Sequence, residues 1–404
     1  MIKDINELMS RVNCKKWHKD WEEYFDKAVK VYSDSGCIYS KYCYYEMLEN
    51  KYSMIGEFLP LYKKATELVD GDEAFELFLV FMSIVLNERA NVRQELSEFV
   101  QPVSPENKDD IKYDMLTALL ICSQADLCFK NFLENGFSSE IAEKSLKLLM
   151  NGIRGFRLRH NGNDGYDLLG WFQHTVEGNL MPFLSLQLHF NCAFYGDAVV
   201  LKNKKGEITA LTQEKKIHSS GRILGARFCE DEEDSFETDF VETDDAYMGY
   251  PLDENGYVLR EKVVLDKNEW EIVLKKGDPT VALHIPANAS MKKEEMDIFF
   301  KEANKFINES GYECKAITIG SWLMDTQLEG LLKADSNILD FQRRFKKISV
   351  KSRGESVFKF VFKKPDMNFE IKDLPEETSL QKKIKEMYTD NKAIYEVIGY
   401  IIKG

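Results

Sequence analysis

The sequence predicts an α+β protein: an all-helical domain over residues 1–150, followed by a mixed α/β sheet domain over residues 151–404. Three observations predict it. Apolar residues recur at helical spacing through the first 150 positions, a cluster of turn-formers follows Met150, and period-two alternation takes over downstream. With 404 residues, 44% of them apolar and 30% charged, and only 9 prolines and 23 glycines, the chain has an ordinary globular composition and the length for two domains.

In the helical part, Ile55, Phe58, Leu59, Tyr62 and Ala65 form one stripe. The segment from Glu73 to Leu86 is apolar on nearly every side except at Glu73 and Glu76, which places it at the centre of a bundle. Pro102 and Pro105 interrupt the pattern before two further helices, Ile111 to Asn131 and Ser139 to Met150, the second with a cap in Ser138-Ser139-Glu140. Five or six helices are expected. Asn151-Gly152, Gly155 and Asn161-Gly162-Asn163-Asp164-Gly165 end helices and permit positive φ, so the domain boundary falls there.

The sheet domain opens on Leu184, Leu186, Leu188, Phe190 and Cys192, which alternate with Ser185, Gln187, His189 and Asn191 as a strand with one wet or functional face. That strand lies in the longest uncharged run, Gly178 to Gly196, whose polar residues and Pro182 argue against a membrane span. Ala198–Lys202 and Ile208–Thr212 pair as a hairpin across Lys205-Gly206; Tyr257–Leu265, Trp270–Leu274, Val281–Ile285, Ala316–Gly320, Val357–Phe362 and Ile398–Ile402 are further strands. The run Val281–Ile285 leads into a helix with Met296, Phe299, Phe300, Ala303, Phe306 and Ile307 on one face, and a strand from Cys314 to Gly320 returns the chain as a βαβ unit. Ser290 is the expected N-cap of that helix and Gly311 the residue just past its end. A second helix, capped by Asp335 or Ser336, turns Ile338, Phe341, Phe345 and Ile348 inward and leaves Arg343 and Arg344 outside.

Charge narrows the partners. The balance 54 − 68 = −14 repels phosphate backbones and anionic lipid heads, so neither nucleic acid nor a membrane surface is expected as a partner. The N-terminal residues carry no secretory pattern, which points to the cytoplasm. Eight cysteines lack CxxC or Cys/His spacing, so reduced thiols and no metal are expected. The stretch Glu230 to Asp245 holds ten acidic residues and no basic one; a solvated loop is expected, a landing zone for a cationic substrate or a divalent ion being the alternatives. No Walker A or Rossmann glycine pattern occurs, against ATP, GTP, NAD and FAD.

Several segments in one order carry a resemblance. His284-Ile285-Pro286 through the following helix to Ser321-Trp322-Leu323-Met324-Asp325-Thr326-Gln327-Leu328 and Ser336-Asn337-Ile338-Leu339-Asp340-Phe341-Gln342-Arg343-Arg344-Phe345, with Trp171, Gly178-Asn179-Leu180 and Leu186-Gln187-Leu188 upstream, resembles the bacterial acyltransferase-domain proteins built from a helical N-acyltransferase N-terminal domain and a GNAT-like C-terminal domain. The resemblance implies a GNAT-like mixed sheet and acyl transfer from acyl-CoA to a small-molecule amine. In that reading His284, at a strand end, is the first choice of base and His189 the second, beside Gln187 on a polar strand face. Ser321 donates to the acyl carbonyl, Asp325 and Gln327 orient the substrate, and Trp322 walls the pocket. The amides of Asn288, Ala289 and Ser290, with Arg343 and Arg344, meet the anionic CoA. The loop Pro286 to Ser290 has none of the glycines that such enzymes use against a pyrophosphate, and this favours the alternative, a non-catalytic GNAT-shaped binding or regulatory module.

Overall fold

A computed structural model describes residues 2–106, 109–286, 289–364 and 369–403. The chain divides into two compact units, Met1–Pro182 and Phe183–Gly404.

The first unit is helical. Among its described residues up to 150 no strand occurs, and one isolated bridge joins Lys16 to Val100. Six described helices before residue 150 have ten or more residues: Phe25–Ser35, Tyr42–Tyr52, Leu59–Val69, Glu73–Glu88, Ala125–Glu134 and Ser139–Leu149. Asp72 caps the central one, its carboxylate accepting from the amides of Ala74 at 3.1 Å and Phe75 at 3.4 Å. Every residue of that helix from Ala74 to Leu86 is buried, Glu76 included. Ser138 caps the last as expected. The run Ile111–Glu134 has the length and hydropathy of a membrane span, but 61% of its apolar window is buried within this chain, as in a core helix.

The unit runs past the change of texture at 150. Gly152 and Gly155 lie inside a helix, Asn151–Arg159, and a further helix follows at Leu169–Val176. A Cβ at Gly152 would collide with the buried ring of Tyr166, so this glycine serves close packing where a turn was expected. Gln124 and Gln173 exchange side-chain hydrogen bonds at 3.0 and 2.8 Å, and Asn131 donates to the carbonyl of Val176 at 2.8 Å. These bonds tie the two later helices to the bundle, and the division comes at Pro182.

The strands are β1 Leu180–Phe183, β2 Leu186–Ala193, β3 Ala198–Asn203, β4 Ile208–Thr212, β5 Lys215–Ile217, β6 Phe236–Thr238, β7 Val241–Glu242, β8 Ala246–Pro251, β9 Val263–Asp266, β10 Trp270–Leu274, β11 Pro279–His284, β12 Ala316–Ser321, β13 Lys346–Ser349 and β14 Val397–Ile402. One sheet has the order β1-β2-β11-β12-β14-β13, a second β10-β3-β4-β8-β7 with β9 on β8, and β5 pairs with β6. The expected βαβ unit is present: β11 and β12 are parallel and joined by the helix Lys293–Glu309. That helix buries Met296, Phe299, Ala303 and Ile307, and Phe306 meets Phe190 of β2 edge to face at 6.1 Å. On the opposite face, Ala316, Ile348, Ile398 and Tyr400 pack with Ala198, Val200, Ala210 and Leu274 of the second sheet.

Five expectations are corrected. The helix capped by Ser336 ends at Arg343, so Ile348 is buried in β13 and not on that helix. Val357–Phe362 is not a strand: its first four residues lie in the helix Glu355–Phe360 and the last two follow it; Val357, Phe358 and Phe362 are buried around Ile384 and Tyr388, and so short an apolar run carries no period to tell helix from strand. Of Tyr257–Leu265, only Val263–Leu265 lies in a strand, β9. Ser290 does not cap the crossover helix, which starts at Lys293 after an N-cap residue, Lys292, that makes no side-chain cap. The alternation from Leu184 to Cys192 is broken by a bulge: Thr280 opposes Cys192 while Ala282 opposes His189, and Asn191 takes φ 55°. The acidic stretch is largely exposed and paired with lysines, Lys216–Glu232, Lys262–Asp239 and Lys267–Glu242 each at 2.7 Å.

Candidate functional site

The parallel strands at the centre of the first sheet part. Pairing between β11 and β12 ends at Ala282/Thr318, whereas β11 stays on β2 as far as His284/Gln187 and β12 stays on β14 as far as Ser321/Val397. Each strand therefore follows its outer neighbour, and a wedge opens between Leu283-His284 and Ile319-Gly320-Ser321 at the C-terminal ends, where α/β sheets receive ligands.

Register puts Gln187, His189, Ala282, His284, Thr318 and Gly320 on one face of the sheet. This polar face is covered rather than wet: Gln187 is 9% and His189 8% exposed. Nδ1 of His189 lies 3.1 Å from Nε2 of His284, with the ring centroids 5.3 Å apart. One ring nitrogen of the two must donate and the other accept, so the pair shares a proton along one hydrogen bond. The bulge at Asn191 sets the length over which this face of β2 continues, ending the alternation just after His189.

Tyr195 completes the face, and sequence reasoning missed it. A Cβ at Gly320 would collide with the Tyr195 hydroxyl, so glycine at this position makes room for the phenol. The residue as a whole is 53% exposed, yet burial around its hydroxyl pushes that group up, and the Glu396 carboxylate adds to the rise. Glu396 accepts from the Ser356 hydroxyl, and its amide donates to Ser352 Oγ at 3.0 Å. The one local signal for Tyr195 was an aromatic residue just after the end of a strand.

The other expected site residues hold the chain together around the wedge. Ser321 Oγ accepts from the amide of Leu323 at 3.1 Å and caps a short 3-10 turn. Asp325, 1% exposed, accepts from the amides of Gln327 at 3.0 Å and Tyr395 at 2.7 Å and from Gln327 Nε2 at 3.1 Å; burial raises its carboxyl, and these bonds act against the rise. Gln327 also donates to the carbonyl of Ala393 at 2.6 Å, and Trp322 packs against the cluster around Leu328, Ile384 and Tyr395.

Asn288 lies outside the described residues. The amide of Ala289 is used within the loop, donating to the carbonyl of Pro286 at 3.1 Å. Ser290 stands upstream of the helix, whose opening amides receive no side-chain cap. Arg344 is held by Asp297 at 2.7 Å and Asp340 at 2.6 Å, and Arg343 lies 3.7 Å from Glu329. Among the described residues no group of His, Cys, Asp and Glu is arranged to hold a metal ion.

Residues 187–401, more than half of the chain, match the family described as GNAT-like C-terminal domain. The chain belongs to that family. The match spans both histidines, the wedge and Tyr195. An acyltransferase crystallised with decanoyl-CoA and teicoplanin aligns over 99% of both chains with 14% identity and a TM-score of 0.60. An acyltransferase mutant crystallised with octanoyl-CoA aligns over 89% of this chain and 99% of its own with 12% identity and a TM-score of 0.52. These likenesses establish a shared acyltransferase fold. No curated protein matches the chain.

Proposed function

We propose that this GNAT-like protein is an N-acyltransferase that moves an acyl group from acyl-CoA to the amine of a small molecule. The observation that carries the reading is the wedge between β11 and β12, with the paired imidazoles of His189 and His284 on one side and the Tyr195 hydroxyl on the other. In the reaction the acceptor ammonium gives a proton to His284, the freed nitrogen attacks the thioester carbonyl, a C–N bond forms and the C–S bond breaks. The Tyr195 hydroxyl, which burial holds in its protonated form, gives its proton to the leaving thiolate, and the second proton shed by the new amide nitrogen restores the phenol. The related acyltransferases bound to CoA or acyl-CoA support the choice of donor. The uncapped amides at Lys293 open the helix that follows β11 and suit an anion.

One observation favours the non-catalytic alternative: Glu294 and Glu295 occupy the first turn of the same helix and oppose its positive dipole end. Thiol release from acetyl-, octanoyl- and decanoyl-CoA in the presence of a panel of amines, with product mass measured, decides between them. Acyl-amine formation supports transfer. Absence of thiol release on every amine supports the binding module, the more so without the stabilisation of about 2.7 kcal/mol that CoA at 100 times Kd would give.

A further inference from the structure

A cavity lies wholly within the helical unit. It has a volume of about 520 Å³ and is lined by Tyr32, Ser35, Cys37, Ile38, Lys41 and Glu76 among others. A narrower recess of about 160 Å³ shares Ser35, Gly36 and Ile38 with it and continues along Val31, Val80 and Ile84. Together they make one cleft with a polar end and an apolar end, in the size range of small-molecule sites.

The polar end is organised around Glu76, 6% exposed on a helix otherwise buried through apolar contacts. Its Oε1 accepts from Ser40 Oγ at 2.6 Å and the Gly71 amide at 3.3 Å, with Lys41 Nζ at 3.5 Å. Its Oε2 accepts from the Tyr32 hydroxyl alone among the described residues, at 2.8 Å. A carboxylate oxygen has two acceptor positions, so Oε2 keeps one on the wall of the cavity. Lys41 is drawn off by its ion pair with Asp70, which leaves the negative charge of Glu76 incompletely balanced. At the other end Ile38 is 49% and Val31 39% exposed, large apolar side chains at the rim of a cleft. The Cys37 thiol, pushed up to about 11 by burial, is no nucleophile at neutral pH, so occupancy is non-covalent.

We propose that this cleft binds a primary ammonium carrying an alkyl chain, the ammonium donating to Glu76 Oε2 and the chain lying along Val31, Ile38, Val80 and Ile84. The site stands independently of acyl transfer, and its test needs no acyl-CoA. Titration calorimetry on the full chain compares n-hexylammonium, 1-hexanol and hexanoate. Hexylammonium is expected to bind at least about tenfold more tightly than hexanol, the value of one ionic hydrogen bond, and hexanoate more weakly than either. Glu76→Gln should abolish the preference for the amine. Because that variant removes a buried charge and can lower stability, Ser35→Lys serves beside it: Ser35 is exposed and lines both parts of the cleft. A lysine there should repel and compete with hexylammonium, weakening it about tenfold and more than it weakens hexanol. Equal affinity for amine and alcohol, or an unchanged amine affinity in Ser35→Lys, overturns the proposal.

Discussion

Replacing Asp325 should damage stability and leave the activity of each folded molecule intact. The carboxylate takes the amide of Gln327, the amide of Tyr395 and the Gln327 side chain in a site 1% exposed. Asp325→Ala leaves two buried backbone donors without a partner. At about 1–3 kcal/mol for each stranded group the loss is about 2–6 kcal/mol, or on the order of 10 °C in the melting of a unit of this size. Asp325→Asn is milder but not silent, because whichever way the amide turns, its NH₂ faces at least one of the donors the carboxylate accepted from; about 1–3 kcal/mol is expected. Burial holds the native carboxyl above its ordinary value, so the folded state binds the proton more tightly. This contribution is complete below the unfolded value near 3.8 and is lost as pH rises through the folded one. Urea denaturation followed by circular dichroism, with transfer rates normalised to the folded fraction, measures both effects. A wild-type transition in Asp325→Ala, or a fully folded variant without activity, refutes the structural assignment.

Removing either imidazole, His189→Ala or His284→Ala, should lower acyl transfer by about 10²–10⁴. The double variant should lose little more than either single one, because the two rings act through one shared hydrogen bond; steady-state kinetics that show full additivity would count against a relay. His174 offers a pH test in the helical unit: burial, with Arg93 adding to it, depresses the imidazole to about 4, so the unfolded chain binds the extra proton first. Stability present above the unfolded value near 6.5 should drain away as pH falls toward 4, and His174→Gln should flatten that slope in a pH series of thermal melts.

By itself the sequence determined the class of each region. The helical bundle, the hairpin across Lys205-Gly206 and the crossover from β11 to β12 are written in local periodicity and turn chemistry, which act between residues a few positions apart. It also placed Gln187, His189 and His284 on strands, with the right residues facing away from Leu186, Leu188 and Leu283. What it could not decide was that His189 and His284, 95 positions apart, meet at 3.1 Å. That contact depends on antiparallel register and on where the bulge at Asn191 interrupts it, and a shift of one residue would send His189 to the opposite face. The wedge is likewise a tertiary result, since each central strand stays with its outer partner after the pairing between them ends. Asp325 read as a polar residue at a strand end, where ligands bind; only the fold brings the Tyr395 amide, 70 positions later, onto its carboxylate and turns it into a latch. Val357–Phe362 became helix for the same kind of reason: its apolar run suits either structure, and burial around Ile384 and Tyr388 made the choice.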